Sequence, residues 1–120
     1  MRFAFTPEEE AFRAELSAFL DDALPPGWTG PADESREDHW ALTLRTRKEL
    51  ARRGWLTMSW PIEYGGRAAS PMMSLVFAEE MAYRRAPGND RFGTRMIGPI
   101  LMASGTEELM RRHLPAIARA

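Results

Sequence analysis

Apolar side chains recur along this chain at steps of three and four, and alternation at steps of two fails everywhere except Trp55–Trp60. A period near 3.6 builds one-sided helices, whereas strands need a period of two. That pattern leaves an all-α fold, a helical bundle whose antiparallel neighbours are joined by short loops. Phe12, Leu16, Phe19 and Leu20 give the clearest run. Trp55–Trp60 lies between Gly54 and Pro61, which argues against a strand there.

Caps and breakers divide the pattern. Thr6-Pro7-Glu8-Glu9 reads as a capping box with proline in the first turn, opening a helix that ends near Ala23. Leu24 to Pro31 is a loop, with Trp28 placed to pack it down. A second helix is expected from about Asp33 to Arg53. Asp33, Glu34, Glu37 and Asp38 crowd its start, and Lys48, Arg52 and Arg53 its end, as the helix dipole favours. Trp40, Leu44, Leu50 and Ala51 mark its expected inner side. Gly54 then Trp55 reads as a left-handed cap followed by its apolar contact.

The period is lost from Leu56 to Ala69, where Trp60 to Gly66 reads as a rigid loop with aromatic anchors. Ser70-Pro71 opens a third helix, closed by Arg84 and Arg85. Another helical stretch covers about Arg91 to Ser104. Gly98-Pro99 predicts a kink in it, or two short helices. Thr106-Glu107-Glu108 restarts a helix to about His113, and Leu114-Pro115 begins a last turn. About six helical segments in one domain, residues 1–120, are therefore expected, with Phe12, Leu16, Phe19, Trp40, Leu44, Leu75, Val76, Leu101 and Leu109 mainly inward.

A length of 120 residues suits one domain. The net charge of −1, from 16 basic and 17 acidic side chains, gives no field to attract nucleic acid or an anionic membrane. The absence of cysteine removes disulfides, thiolate metal sites and a cysteine nucleophile, and fits a cytoplasmic protein. Apolar runs fall far short of the roughly 18–20 residues of a membrane helix, and Met1–Pro7 is too short for a signal peptide.

Candidate chemical groups are few. His39 and His113 lack ligands three or four residues away on one face, so no metal site is expected. Glu79 and Glu80 point about 100° apart on a helix and cannot flank one substrate atom. One of them is expected to turn inward onto a backbone N–H or an arginine. Gly65-Gly66 suits a tight turn better than an anion nest. Arg52-Arg53, Arg84-Arg85 and Arg111-Arg112 each fall in the last turn of an expected helix. No nucleophile–base pair or complete nucleotide cradle appears, and no catalytic residue is assigned.

Three segments in order carry a resemblance. Gly54-Trp55-Leu56-Thr57-Met58-Ser59-Trp60-Pro61-Ile62-Glu63-Tyr64-Gly65-Gly66 is similar to a loop of the acyl-CoA dehydrogenases. Glu79-Glu80-Met81 with Arg85-Ala86-Pro87 resembles the helix that follows it. Met96-Ile97-Gly98-Pro99-Ile100-Leu101, then Gly105-Thr106-Glu107-Glu108 and His113-Leu114-Pro115-Ala116-Ile117, resembles that family's closing N-terminal helices. The resemblance runs from Phe5 to Ile117 and covers the family's N-terminal helical domain only. The middle β-domain and the C-terminal bundle find no match. Met110 stands where the family often has lysine.

The resemblance implies an FAD-dependent oxidoreductase that desaturates the Cα–Cβ bond of an acyl-CoA thioester. The family's glutamate base belongs to the C-terminal bundle and matches neither Glu79 nor Glu80. Most flavin contacts belong to the other domains, so this chain alone is expected to be inactive and not to hold FAD tightly. By resemblance, the N-terminal domain forms one wall of the acyl pocket, at Arg91, Phe92, Arg95 and Met96. Phe92 and Met96 are four apart on one helical face, a spacing that core packing also predicts. An apolar patch around Phe92, Met96 and nearby methionines is expected, covered by self-association or a partner. Implied partners are the acyl-CoA substrate, the missing domains or a separate chain carrying them, and an electron-transfer flavoprotein. The rival reading is a stand-alone helical subunit that docks on a separate flavin-carrying chain.

Overall fold

The computed structural model describes residues 4–31 and 36–120. Five α-helices occur among the described residues: α1 (Pro7–Ala23), α2 (Glu37–Arg52), α3 (Pro71–Tyr83), α4 (Gly98–Ser104) and α5 (Glu107–Arg119). A 3-10 turn spans Ile62–Tyr64, and a π-turn, Gly93–Ile97, runs directly into α4. No strand occurs among the described residues.

The caps account for the helix starts. At α1 the Thr6 hydroxyl accepts from Glu9 N–H (3.2 Å) and the Glu9 carboxylate accepts from Thr6 N–H (2.7 Å), a complete capping box. Ser70 and Thr106 cap α3 and α5 by accepting from Met73 N–H and Leu109 N–H, both at 3.2 Å. The start expected for α2 at Asp33 lies outside the described residues. Its end is a Schellman cap. Gly54, at φ +75°, donates to Ala51 O (2.9 Å), and Trp55 donates to Leu50 O (3.0 Å).

That cap delivers Trp55 into the core. Its ring meets Phe12 and Phe19 edge-on, each at 5.6 Å between centroids. Around it, α1 packs on α3, with Leu16, Leu20, Leu50 and Val76 fully buried. Beside the core, Glu80 turns inward between Arg13 (3.7 Å) and Arg84 (3.9 Å), the arginine-paired placement expected for one of the two glutamates. Trp28 pins the loop after α1 by donating its indole N–H to Arg84 O (3.1 Å).

Several expectations fail on which face is covered. Trp40, Leu44, Leu75 and Leu109 are 54%, 37%, 44% and 42% exposed. In α2 the buried stripe is Leu42, Thr43, Thr46 and Leu50; its two threonines carry methyl groups that a polar reading overlooks. In α3 apolar residues surround the helix, so spacing alone cannot choose a side, and Val76, Phe77 and Met81 go in. In α5 the buried residue is Leu114.

The end of the chain also departs from expectation. α5 continues through Pro115 to Arg119, so there is no break at His113. Pro115 supplies no N–H to the Arg111 carbonyl, but both residues are exposed, where water serves that carbonyl. Arg111 and Arg112 are therefore mid-helix rather than in a last turn, and Arg111 pairs with Glu107 at 3.2 Å.

The molecule is a slab, with extents of 46 × 45 × 20 Å. Its thickness is about two helix diameters of roughly 10–12 Å each. The radius of gyration is 15.3 Å, against about 14 Å for a compact domain of this length. Its accessible surface is 8069 Å², against roughly 6,600 Å² for a folded monomer of this mass. A slab of this kind buries one face of its helices and offers the other.

Candidate functional site

The four residues expected in a pocket wall lie in and just before the π-turn. The cause of the turn is local. Pro99 has no N–H, and Gly98 donates to Gly93 O, five residues back. That arrangement leaves the carbonyl of buried Thr94 without a helical donor. The indole of Trp60 supplies one, donating to Thr94 O at 2.8 Å, and Trp60 is itself only 3% exposed. A Cβ on Gly98 would collide with the same indole ring. On the near side, the Asp90 carboxylate accepts from Gly93 N–H (2.9 Å), and Thr94 donates its hydroxyl to Asp90 O.

Gly98 stays helical at φ −56°, ψ −56°, although it precedes proline. The expected kink is thus a wide turn one step earlier in the chain. Trp60 has a positioning role that a loop-anchor reading did not reveal. The available signal was a Gly-Pro pair that orphans a carbonyl, together with a tryptophan, which has only a donor to offer.

Held from behind in this way, the stretch turns Phe92 (73% exposed) and Met96 (51%) to the solvent side, with Arg91 and Arg95 also exposed. Ile100 continues the row four residues further on. Packing inside this chain does not account for the Phe92–Met96 spacing. Arg95 stands between two cavities, one of about 320 Å³ lined by Leu56, Leu75 and Phe77, and one of about 410 Å³ that it shares with Arg91.

Other candidates prove structural. Arg13 donates to Glu79 at 2.8 Å, and that hydrogen bond raises the guanidinium's already high pKa. His39 faces Thr43, Nε2 to Oγ1 at 3.5 Å, and His113 is exposed on α5. Gly65 takes φ +89° in the turn. Gly66 lies so close to Trp60 O that no Cβ fits. The pair therefore serves the turn and is no phosphate cradle for the FAD that the resemblance implies. No helix among the described residues is long and apolar enough to cross a membrane.

Comparison with known proteins agrees with this architecture. The family model for the acyl-CoA dehydrogenase N-terminal domain matches residues 6–120. Acyl-CoA dehydrogenase FadE26 of Mycobacterium tuberculosis is 32% identical over 98% of this chain and 30% of its own length. Acyl-CoA dehydrogenase IpdE1 of Mycolicibacterium smegmatis is 36% identical over 92% of this chain and 29% of its own. Among solved structures, the ChsE4-ChsE5 complex from Mycobacterium tuberculosis matches with a TM-score of 0.83 and 34% identity, over 99% of this chain and 29% of that one. The Tcur3481-Tcur3483 steroid ACAD matches at 0.80 and 30% identity, over 99% and 30%. This chain thus spans about 30% of the length of the relatives it matches. With the helical slab, the loop from Gly54 to Gly66 and the family match over nearly every residue, the chain belongs to the acyl-CoA dehydrogenase family, as its N-terminal helical domain.

Proposed function

We propose that this domain forms one wall of the acyl pocket in an FAD-dependent acyl-CoA dehydrogenase. Phe92 and Met96 would meet the acyl hydrocarbon, and Arg91 and Arg95 would border it. The observation that carries the reading is the exposed row Phe92, Met96 and Ile100, braced by Trp60 and left uncovered by the chain's own core. A pocket wall needs that combination of apolar surface and rigid backing.

In this reading FAD, when bound, supplies the acceptor for the β-hydride. The residues of this chain exclude water and orient the acyl group. They do not supply the base, because Glu80 sits between two guanidiniums and Glu79 is tied to Arg13. The base and the flavin cradle belong to a β-domain and a helical bundle, supplied by the rest of the same polypeptide or by a second chain, and these 120 residues alone are inactive. The two-component names of both structural relatives favour a partner chain. The steroid ACAD among them supports a bulky, ring-bearing acyl group. An electron-transfer flavoprotein as acceptor and a cytoplasmic location accompany the family reading.

The test is reconstitution. The chain is mixed with a chain carrying the β-domain and the bundle, and flavin absorbance and acyl-CoA-dependent bleaching are recorded. Flavin and bleaching are expected only in the mixture. A Phe92→Asp/Met96→Asp variant is expected to retain flavin in the mixture and to raise KM at least tenfold. Stoichiometric flavin on the chain alone, or unchanged KM in the variant, overturns the reading.

A further inference from the structure

Among the described residues, most ion-paired arginines lie away from the π-turn: Arg13 with Glu79, Arg36 with Asp38, Arg52 with Glu49, Arg84 with Asp21 and Arg111 with Glu107. Nine other described arginines form no ion pair with a described residue, and four of them, Arg47, Arg85, Arg91 and Arg95, line the cavity of about 410 Å³. Its walls come from α2, the end of α3, the loop 86–90 and the turn at Arg91. No described carboxylate lines it. Asp90, the neighbour of Arg91, is committed to Gly93 N–H at 2.9 Å. Asp33 and Glu34, which follow Pro31 at the rim, lie outside the described residues.

Two of the guanidiniums are held in place by the backbone. Arg47 donates Nε–H to Gly88 O at 3.3 Å, and Arg85 donates to Thr29 O at 3.0 Å, each leaving further N–H groups for a ligand. Gly88, at φ +103°, brings the loop so near α2 that a Cβ would lie 2.9 Å from Arg47 N. Arg85 itself has φ +49° as the left-handed residue of the α3 C-terminal cap, where it donates to Ala82 O (3.0 Å) and Ala86 donates to Met81 O (2.9 Å). His39 adds a buried Nδ1 with no partner among the described residues. Four cations gathered in one hollow that no described carboxylate lines favour negative charge there.

We propose that this cavity binds a phosphoryl-bearing anion through Arg47, Arg85, Arg91 and Arg95. A phosphoryl group suits it better than a carboxylate. It carries about two negative charges where a carboxylate carries one, and its oxygens match several guanidinium forks at once. The cavity exceeds the roughly 300 Å³ lower bound of small-molecule sites, so the group arrives on a larger ligand or as a linked pair of phosphates. The inference does not rest on the acyl-pocket reading.

The test titrates the chain calorimetrically at low ionic strength with pyrophosphate, adenosine 3′,5′-bisphosphate and glutarate. Both phosphates are expected to bind, glutarate at least tenfold more weakly, and all binding is expected to weaken at 0.5 M NaCl. Arg91→Gln/Arg95→Gln is expected to lose at least tenfold in affinity, while Arg112→Gln, on the exposed side of α5, keeps it. If the double variant does not fold, the Nε–H resonances of Arg47 and Arg85 in the natural chain serve instead, moving with pyrophosphate while Arg112 stays. Tighter binding of the bisphosphate assigns the nucleotide end of a cofactor as the source, and tighter pyrophosphate assigns free phosphates. No phosphate binding at millimolar concentration overturns the proposal. So does equal affinity in both variants, or glutarate binding as tightly as phosphate.

Discussion

In α1 and α3, Leu16, Leu20 and Val76 have no solvent exposure, whereas Phe92, Ile100 and Leu109, in the region from the π-turn to α5, are 73%, 59% and 42% exposed. Both regions have apolar residues at helical steps, and both have sound caps. The difference lies in what each faces. α1 and α3 lie against one another and against Trp55, while α4 touches mainly the π-turn and α5, and α5 also touches α2. Periodicity shows that a helix has an apolar face. It does not say whether the cover for that face lies in the same domain.

The largest effect expected from breaking this contrast is in the buried region. Leu16→Ala removes a fully enclosed side chain and should cost about 2–5 kcal/mol. Ile100→Ala removes similar bulk from a mostly exposed position and should stay within about 0.5 kcal/mol. Urea unfolding followed by circular dichroism measures both. Similar losses for the two would mean that the second region is as well packed as the first.

The next effect tests the seam between the regions. Trp60→Phe removes the indole donor, leaving the Thr94 carbonyl buried and unpaired, and withdraws the outer ring atoms that lie against Gly98. The expected cost is about 1–3 kcal/mol. Amide exchange is expected to quicken first across residues 93–98. Exchange that rises evenly through α1 and α3 instead would show that Trp60 serves the core and not the π-turn.

Much of this was legible in the residues, and the remainder has physical reasons. Thr6-Pro7-Glu8-Glu9 specifies its capping box because all the partners lie within one turn. Gly54-Trp55 specifies its Schellman cap for the same reason. The π-turn was not legible, because its decisive partner, Trp60, is 34 residues from Thr94. The inner face of α2 was misjudged because Trp40 and Leu44 outweigh Thr43 and Thr46 in any apolar reading, although the threonines are the buried pair. Pro115 signals a break only where the lost hydrogen bond is buried, and there it faces solvent. At the candidate site, the resemblance placed Arg91, Phe92, Arg95 and Met96 in one stretch. It did not show that the two arginines share a cavity with Arg47 and Arg85, since α2 and the 85–88 segment meet there only in the folded chain.

A smaller effect on stability, with a larger effect on association, is expected from Phe92→Ser/Ile100→Ser. Both side chains already face water, so unfolding should shift by no more than about 0.5 kcal/mol per site. The natural chain is expected to self-associate through this surface, and the double variant to sediment as a monomer. A natural chain that stays monomeric at tens of micromolar would show that the uncovered row is tolerated alone, and the contrast between the regions would lose its functional meaning.

The smallest effect concerns surface charge, the rival explanation for why one region is firmer. Asp38 and Glu49 are held below the ordinary carboxylate range, chiefly by side-chain hydrogen bonds from Arg36 and Arg52. A carboxyl with a depressed folded-state pKa favours folding while ionised. Its contribution is complete above the ordinary carboxylate pKa near about 4 and is lost as pH falls through the lower folded value. Asp38 is exposed and Glu49 is partly exposed, and surface pairs of this kind contribute little. Arg52→Gln should therefore move the Glu49 titration upward, read by carboxyl carbon NMR, while the thermal midpoint at pH 7 overlays that of the natural chain. A clear drop in that midpoint would mean that ion pairs along α2, and not the enclosure of Leu16, Leu20 and Val76, separate the firm region from the open one.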